Sequence, residues 1–111
     1  MQAPQPAKLL RIHLAEHDRY EGKPLYEAVV EKCRELSVAG ATVFRGLEGY
    51  GDSAEIHRAH LIAHDQPIVV TIIHTDTRIR QLLNALEPMM DTGLMAVSDV
   101  DVIRIRRIAS E

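Results

Sequence analysis

The residues best suited to chemistry lie in the middle of the chain and at its end. Arg45-Gly46-Leu47-Glu48-Gly49-Tyr50-Gly51-Asp52-Ser53, followed by Glu55-Ile56-His57, closes an apolar run with three glycines and opens a polar, histidine-bearing loop. Glycine lets backbone turn sharply and approach a ligand closely, so a Gly-x-Gly at a strand end is a place for an anion to meet N–H donors. The same pattern also occurs at plain hairpin ends. Arg104, Arg106 and Arg107 near the C-terminus supply the complementary groups, because a guanidinium is always charged and its fork matches phosphate oxygens. The bland reading of these arginines is the solvated face of an edge strand, which discourages sheet addition.

Three further constellations invite a sharper reading. His57, His60 and His64 would line up on a helix and there converge on a divalent metal. On a strand, His57 points away from the other two, and no cysteine or nearby carboxylate completes the set. Asp52, Ser53 and His57 contain an acid, a nucleophile and a base, yet triad members ordinarily come from separate parts of a fold, and no oxyanion hole is evident. Cys33 lies on a helical stripe expected to be buried, away from basic groups that would lower its pKa. The chain is therefore expected to be non-catalytic.

Composition narrows the class. The 111 residues, 46% hydrophobic and 26% charged, are those of an ordinary globular domain, and a net charge of −3 with 4% aromatics offers nucleic acid neither general attraction nor stacking platforms. One cysteine forms no intrachain disulfide and fits a reduced, cytoplasmic setting. No stretch is long and apolar enough for membrane insertion. Residues 1–7 read as a flexible leader, and residues 8–111 as a single domain.

The frame that must position these residues follows from periodicity. Leu10, Ile12 and Leu14 alternate with Arg11 and His13 in a half-buried strand. Pro24 then opens a helix with Leu25, Val29, Cys33 and Leu36 on its buried stripe and Gly40 at its stop. Ala41 to Arg45 is β-prone. Ile56 to His64 reads either as strand or as helix. Pro67 to His74 is a β-branched run, expected as a central strand that is apolar on both faces. Asp76-Thr77 is expected to cap a second helix bearing Ile79, Leu82, Leu83 and Leu86, ended by Pro88 and Gly93. A last strand is expected from Leu94 to Ile108, with Arg104 and Arg106 on one face. The order is that of an α+β, ferredoxin-like βαββαβ sandwich with an antiparallel sheet and both helices on one face. Its uncovered face makes a homo-oligomer the economical arrangement.

On these residues the chain resembles the PII-like signalling superfamily, and within it the stand-alone PII-like branch classed as a domain of unknown function. Gly49-Tyr50-Gly51 looks like the Gly-aromatic-Gly entrance to the PII loop, and Val102-Ile103-Arg104-Ile105-Arg106 is similar to the closing strand of PII. Gly51 through His57 and Asp65-Gln66-Pro67-Ile68-Val69-Val70 resemble the Gly-x-Ile-His and Asp-x-Pro-Val-Val-Val of the stand-alone branch. The resemblance implies a homotrimer with its sheets packed inward and an adenine nucleotide in the clefts between subunits. It nominates Gly49, Tyr50, Gly51, Arg104 and Arg106 as ligand-binding. It further implies a regulatory protein that reports its effector through the loop to a transporter or enzyme.

Three departures stand beside the likeness. Asp91 to Ala96 has one glycine and no lysine where PII has a glycine-rich phosphate loop, the loop after Gly51 is shorter, and His74 stands where the branch favours aspartate. The alternatives from other classes are a divalent-metal-binding trimer, through His57, His60 and His64, and a structural trimer without ligand.

Overall fold

The computed structural model describes residues 2–50, 56–58 and 66–105, with the backbone alone for 48–50 and 56–58. In chain order the elements are β1 (Gln5–Ala15), β2 (Arg19–Tyr20), β3 (Lys23–Pro24), α1 (Leu25–Glu35), β4 (Ala41–Arg45), β5 (Glu48–Tyr50), β6 (Ile56–Arg58), β7 (Pro67–His74), α2 (Asp76–Leu86) and β8 (Leu94–Val102). Four of them form one antiparallel sheet in the order β4-β7-β1-β8, the ferredoxin-like arrangement expected from the sequence. The polar Glu16–Gly22 connection is folded into the small β2–β3 hairpin.

Alternation sets the two faces of this sheet. Leu10, Ile12 and Leu14 of β1 and Ile68, Val70 and Ile72 of β7 are buried beneath the helices. They meet Leu25, Val29 and Cys33 of α1 and Ile79, Leu82 and Leu86 of α2 in one core. Helix α1 starts directly after Pro24, whose fixed φ and missing N–H suit a helix entrance, and Glu27 sits in its first turn, where a negative charge favours the helix dipole. The cap of α2 is Thr75, one residue earlier than expected: its side chain accepts from the Arg78 N–H at 3.3 Å.

The other face of the sheet has no covering layer among the described residues. The ladder registers align Phe44, Val69, His13 and Leu94 in one row and Thr42, Thr71, Arg11 and Ala96 in the next, with Ile73, Leu9 and Ser98 beyond. Phe44 is 55%, Leu94 61% and Ile73 47% exposed. The central β7 is thus apolar on both sides, as expected, but covered on one.

Both ends of the outer ladder differ from the sequence reading. Gln5 pairs with Val102 and Ala7 with Val100, so β1 takes in residues assigned to the leader. The last strand stops at Val102 rather than Ile108, where its partner β1 begins at Gln5. A single bond from Gln2 N–H to the Arg104 carbonyl, 3.2 Å, marks where that ladder gives out. No helix among the described residues is long and apolar enough to cross a membrane.

Candidate functional site

The glycine stretch leaves the sheet at the end of β4. Gly46 donates its N–H to the Pro67 carbonyl at 2.7 Å, and a Cβ built on it would lie 2.7 Å from Pro67 Cγ. Only glycine permits that approach, which brings the entrance of the loop against the start of β7. Two residues later the backbone resumes as β5 and pairs with β6, Glu48 opposite Arg58, Gly49 opposite His57 and Tyr50 opposite Ile56. Of the two conformations the sequence leaves open for the histidine segment, Ile56–Arg58 takes the strand. Gly51, His60, His64 and Arg106 lie outside the described residues, and among the described residues no group of three His, Cys, Asp or Glu is placed to hold a metal.

Arg104 is exposed and irregular, past the end of β8, and not on a strand face as expected. Its position relative to Gly49 follows from the registers. The loop leaves beside Arg45, which pairs with Ile68, itself opposite Leu14 near the C-terminal end of β1. Arg104 follows Val102, which pairs with Gln5 at the N-terminal end of β1. Nine residue steps of strand separate the two ends, about 30 Å at the usual rise. The loop and the arginine also sit on opposite outer strands, β4 and β8. Within one chain the described parts of the candidate site, Gly49–Tyr50 and Arg104, therefore lie at opposite ends of the sheet.

The Asp91–Ala96 connector uses its one glycine for packing. Gly93 has φ +115, and a Cβ there would lie 3.0 Å from the His13 carbonyl oxygen and 3.0 Å from Leu14 Cδ2. Cys33 is buried, and burial pushes its thiol pKa up, consistent with a packed, unreactive thiol.

A feature the motif reading missed stands at the base of the loop. The Glu16 carboxylate accepts from Arg45 Nη2 at 2.6 Å and from the Gln66 N–H at 3.4 Å, while the Glu16 N–H donates to the Gln66 carbonyl at 2.9 Å. The bond to Glu16 raises the Arg45 pKa, and Tyr26 of α1 adds to the same effect. Nothing in local spacing signals this cluster, whose members are 29 and 50 residues from Glu16. Only the registers of β1, β4 and β7 bring them together.

Comparison with known proteins places this geometry. The model of DUF190, described as Uncharacterized ACR, COG1993, matches residues 7–102. A UPF0166 protein of Aquifex aeolicus is 39% identical over 98 residues, spanning 86% of this chain and 92% of the relative. The chain belongs to the DUF190 family. Among solved structures, its fold is similar to that of CPII, a nitrogen regulatory PII-like protein from Thiomonas intermedia bound to ADP, AMP and bicarbonate. That similarity has a TM-score of 0.74 at 23% identity and covers 92% of each chain. A putative PII-like signaling protein from Thermus thermophilus matches with a TM-score of 0.68 at 19% identity, over 92% of this chain and 94% of that one. The PII-like fold expected for this DUF190 chain is thus the one it has.

Proposed function

We propose that this DUF190 chain is the single-domain protomer of a cytoplasmic, homotrimeric PII-like regulatory protein. It takes a small anionic effector, an adenine nucleotide, in clefts between subunits. It has no catalytic role, and it reports the effector through the loop after Tyr50 to a transporter or enzyme. The observation that carries the reading is the separation of Gly49–Tyr50 and Arg104 to opposite ends and opposite edges of one sheet. Parts of a site held this far apart in one chain would meet if a neighbour supplied the second half.

The uncovered face supports the same association, since Phe44, Val69, Ile73, Leu9 and Leu94 offer apolar area that a second and third copy would remove from water. In such a cleft the backbone of Gly49 and Gly51 would approach the ligand. Arg104 and Arg106 from the adjoining subunit would take its phosphates. The ligands of CPII support the choice of an adenine nucleotide, with bicarbonate as an anion to include in the test.

The test is light scattering combined with calorimetric titration of ADP and AMP, with and without bicarbonate. The expected result is a particle about three times the 12.4 kDa chain that binds nucleotide. The Arg104→Gln, Arg106→Gln double variant should remain a trimer while its affinity falls. A parent that stays monomeric at micromolar concentration, or a double variant that binds every nucleotide as the parent does, would overturn the reading.

A further inference from the structure

Glu16 belongs to neither half of the proposed site, yet it holds both feet of the loop. It is the first residue after β1; Arg45 is the last of β4, and Gln66 immediately precedes β7. Its two carboxylate oxygens are divided between them, Oε2 accepting from Arg45 and Oε1 from the Gln66 N–H. Its own N–H closes a third contact onto the Gln66 carbonyl. The turn that carries it is fixed in the same way, the Asp18 carboxylate accepting from the Ala15 N–H at 2.8 Å. Tyr26 of α1 also acts on Arg45. Glu16 therefore cannot swing without releasing one foot of the loop.

What this cluster controls follows from its exposure and its place. The Glu16 side chain is 18% and that of Arg45 48% exposed, so the pair is screened and adds little to global stability. Direction is another matter. Only Gly46 and Leu47 separate Arg45 from β5, and Gly46 is pressed against Pro67. The orientation of Arg45 accordingly sets the line along which Glu48–Tyr50 leaves the sheet.

We propose that Glu16 is a positioning residue for effector binding: by clamping Arg45 to Gln66 it presets where Gly49 and Tyr50 stand, and so governs affinity without touching the effector. The inference rests on the reading of Gly49–Tyr50 as part of the effector site. A tie that merely joined strands would affect the unfolding midpoint alone.

The experiment compares the full-length parent with Glu16→Gln, Arg45→Gln and the double variant by three readouts. These are calorimetric ADP affinity, thermal midpoint, and amide hydrogen exchange of Gly46–Tyr50. Glu16→Gln should weaken ADP by about threefold to tenfold, the effect of one partly exposed charge-assisted hydrogen bond, and should speed exchange of those amides by a similar factor. Its midpoint should fall by no more than about 4 °C. Because the two side chains act as one unit, the double variant should bind no more weakly than the weaker single one. A lowered midpoint with unchanged affinity and exchange would overturn the proposal, as would losses that multiply in the double variant. If the parent itself takes no ADP, the effector reading fails, and exchange decides the clamp: faster exchange at Gly46–Tyr50 in Glu16→Gln upholds it, and unchanged exchange refutes it.

Discussion

Replacing Ile73 by lysine puts a charge on the uncovered face of the sheet, where no described residue of that face can neutralise it. The described residues of that face, including Leu9, Arg11, His13, Thr42, Phe44, Val69, Thr71, Leu94, Ala96 and Ser98, contain no carboxylate, and Arg11 lies diagonally across from the new ammonium. In the isolated chain the change is mild. Ile73 is 47% exposed, so about half of the 1.5–3 kcal/mol that full burial of an isoleucine is worth is at stake, under ~1.5 kcal/mol. In an assembly built on this face the same ammonium would leave water without a partner, at a cost of at least about 2 kcal/mol per subunit. Three copies give roughly 6 kcal/mol, about four orders of magnitude in the association constant. Since trimer formation depends on the square of the free chain concentration, the midpoint of assembly should rise about a hundredfold. Light scattering over a dilution series reads that midpoint, and far-UV dichroism should find the variant folded as the parent is. A folded Ile73→Lys protein with the parent's mass at low micromolar concentration would refute the assignment of this face to self-association.

The remaining predictions concern the frame. Gly93→Ala forces a side chain into a left-handed position and against the His13 carbonyl and Leu14 Cδ2, and should cost about 1–3 kcal/mol in denaturant unfolding. Thr75→Ala removes the oxygen that accepts from Arg78 N–H and should cost about 1 kcal/mol, with Thr75→Ser restoring most of it. Burial raises the Cys33 pKa, so the folded chain holds that proton more tightly than the unfolded one. The resulting stability is fully present below the unfolded value, about pH 8.5, and is lost as pH rises through the raised one. The alkaline limb of a pH–stability curve should therefore flatten in Cys33→Ala.

What the sequence made legible was periodicity, and what it concealed depended on partners. Alternation in Leu10–Leu14 and Pro67–His74, and the helical stripes at Leu25, Val29 and Cys33 and at Ile79, Leu82 and Leu86, placed the core and the strand order. The end of β8 was not legible in the same way. Val102-Ile103-Arg104-Ile105 alternates as well as any strand, yet a ladder stops where its neighbour does, and the β1 ladder begins at Gln5. Thr75-Asp76-Thr77 offers three consecutive capping side chains, and the choice of Thr75 depends on where β7 releases the backbone. The candidate site divides likewise. Its glycines announce themselves by type, whereas Glu16, Arg45 and Gln66 are ordinary polar residues whose meeting is fixed by three registers.

The division of the proposed site between subunits carries a thermodynamic consequence. If Gly49–Tyr50 of one chain and Arg104 of another bind the same anion, the ligand has affinity for the assembly and little for the free chain, so occupancy and association stabilise each other by the same free energy. The local chemistry permits this at small cost. Arg104 is exposed beyond its strand and keeps its hydration until a partner arrives, and Arg45, the cation at the loop entrance, is already neutralised by Glu16. In such a site the anion's charge would therefore be met chiefly by the neighbour's arginines and not by the chain that supplies the loop. A site organised in this way reports two things at once, that effector is present and that the neighbouring subunit is in place, which is the coupling a regulatory trimer needs at its loops.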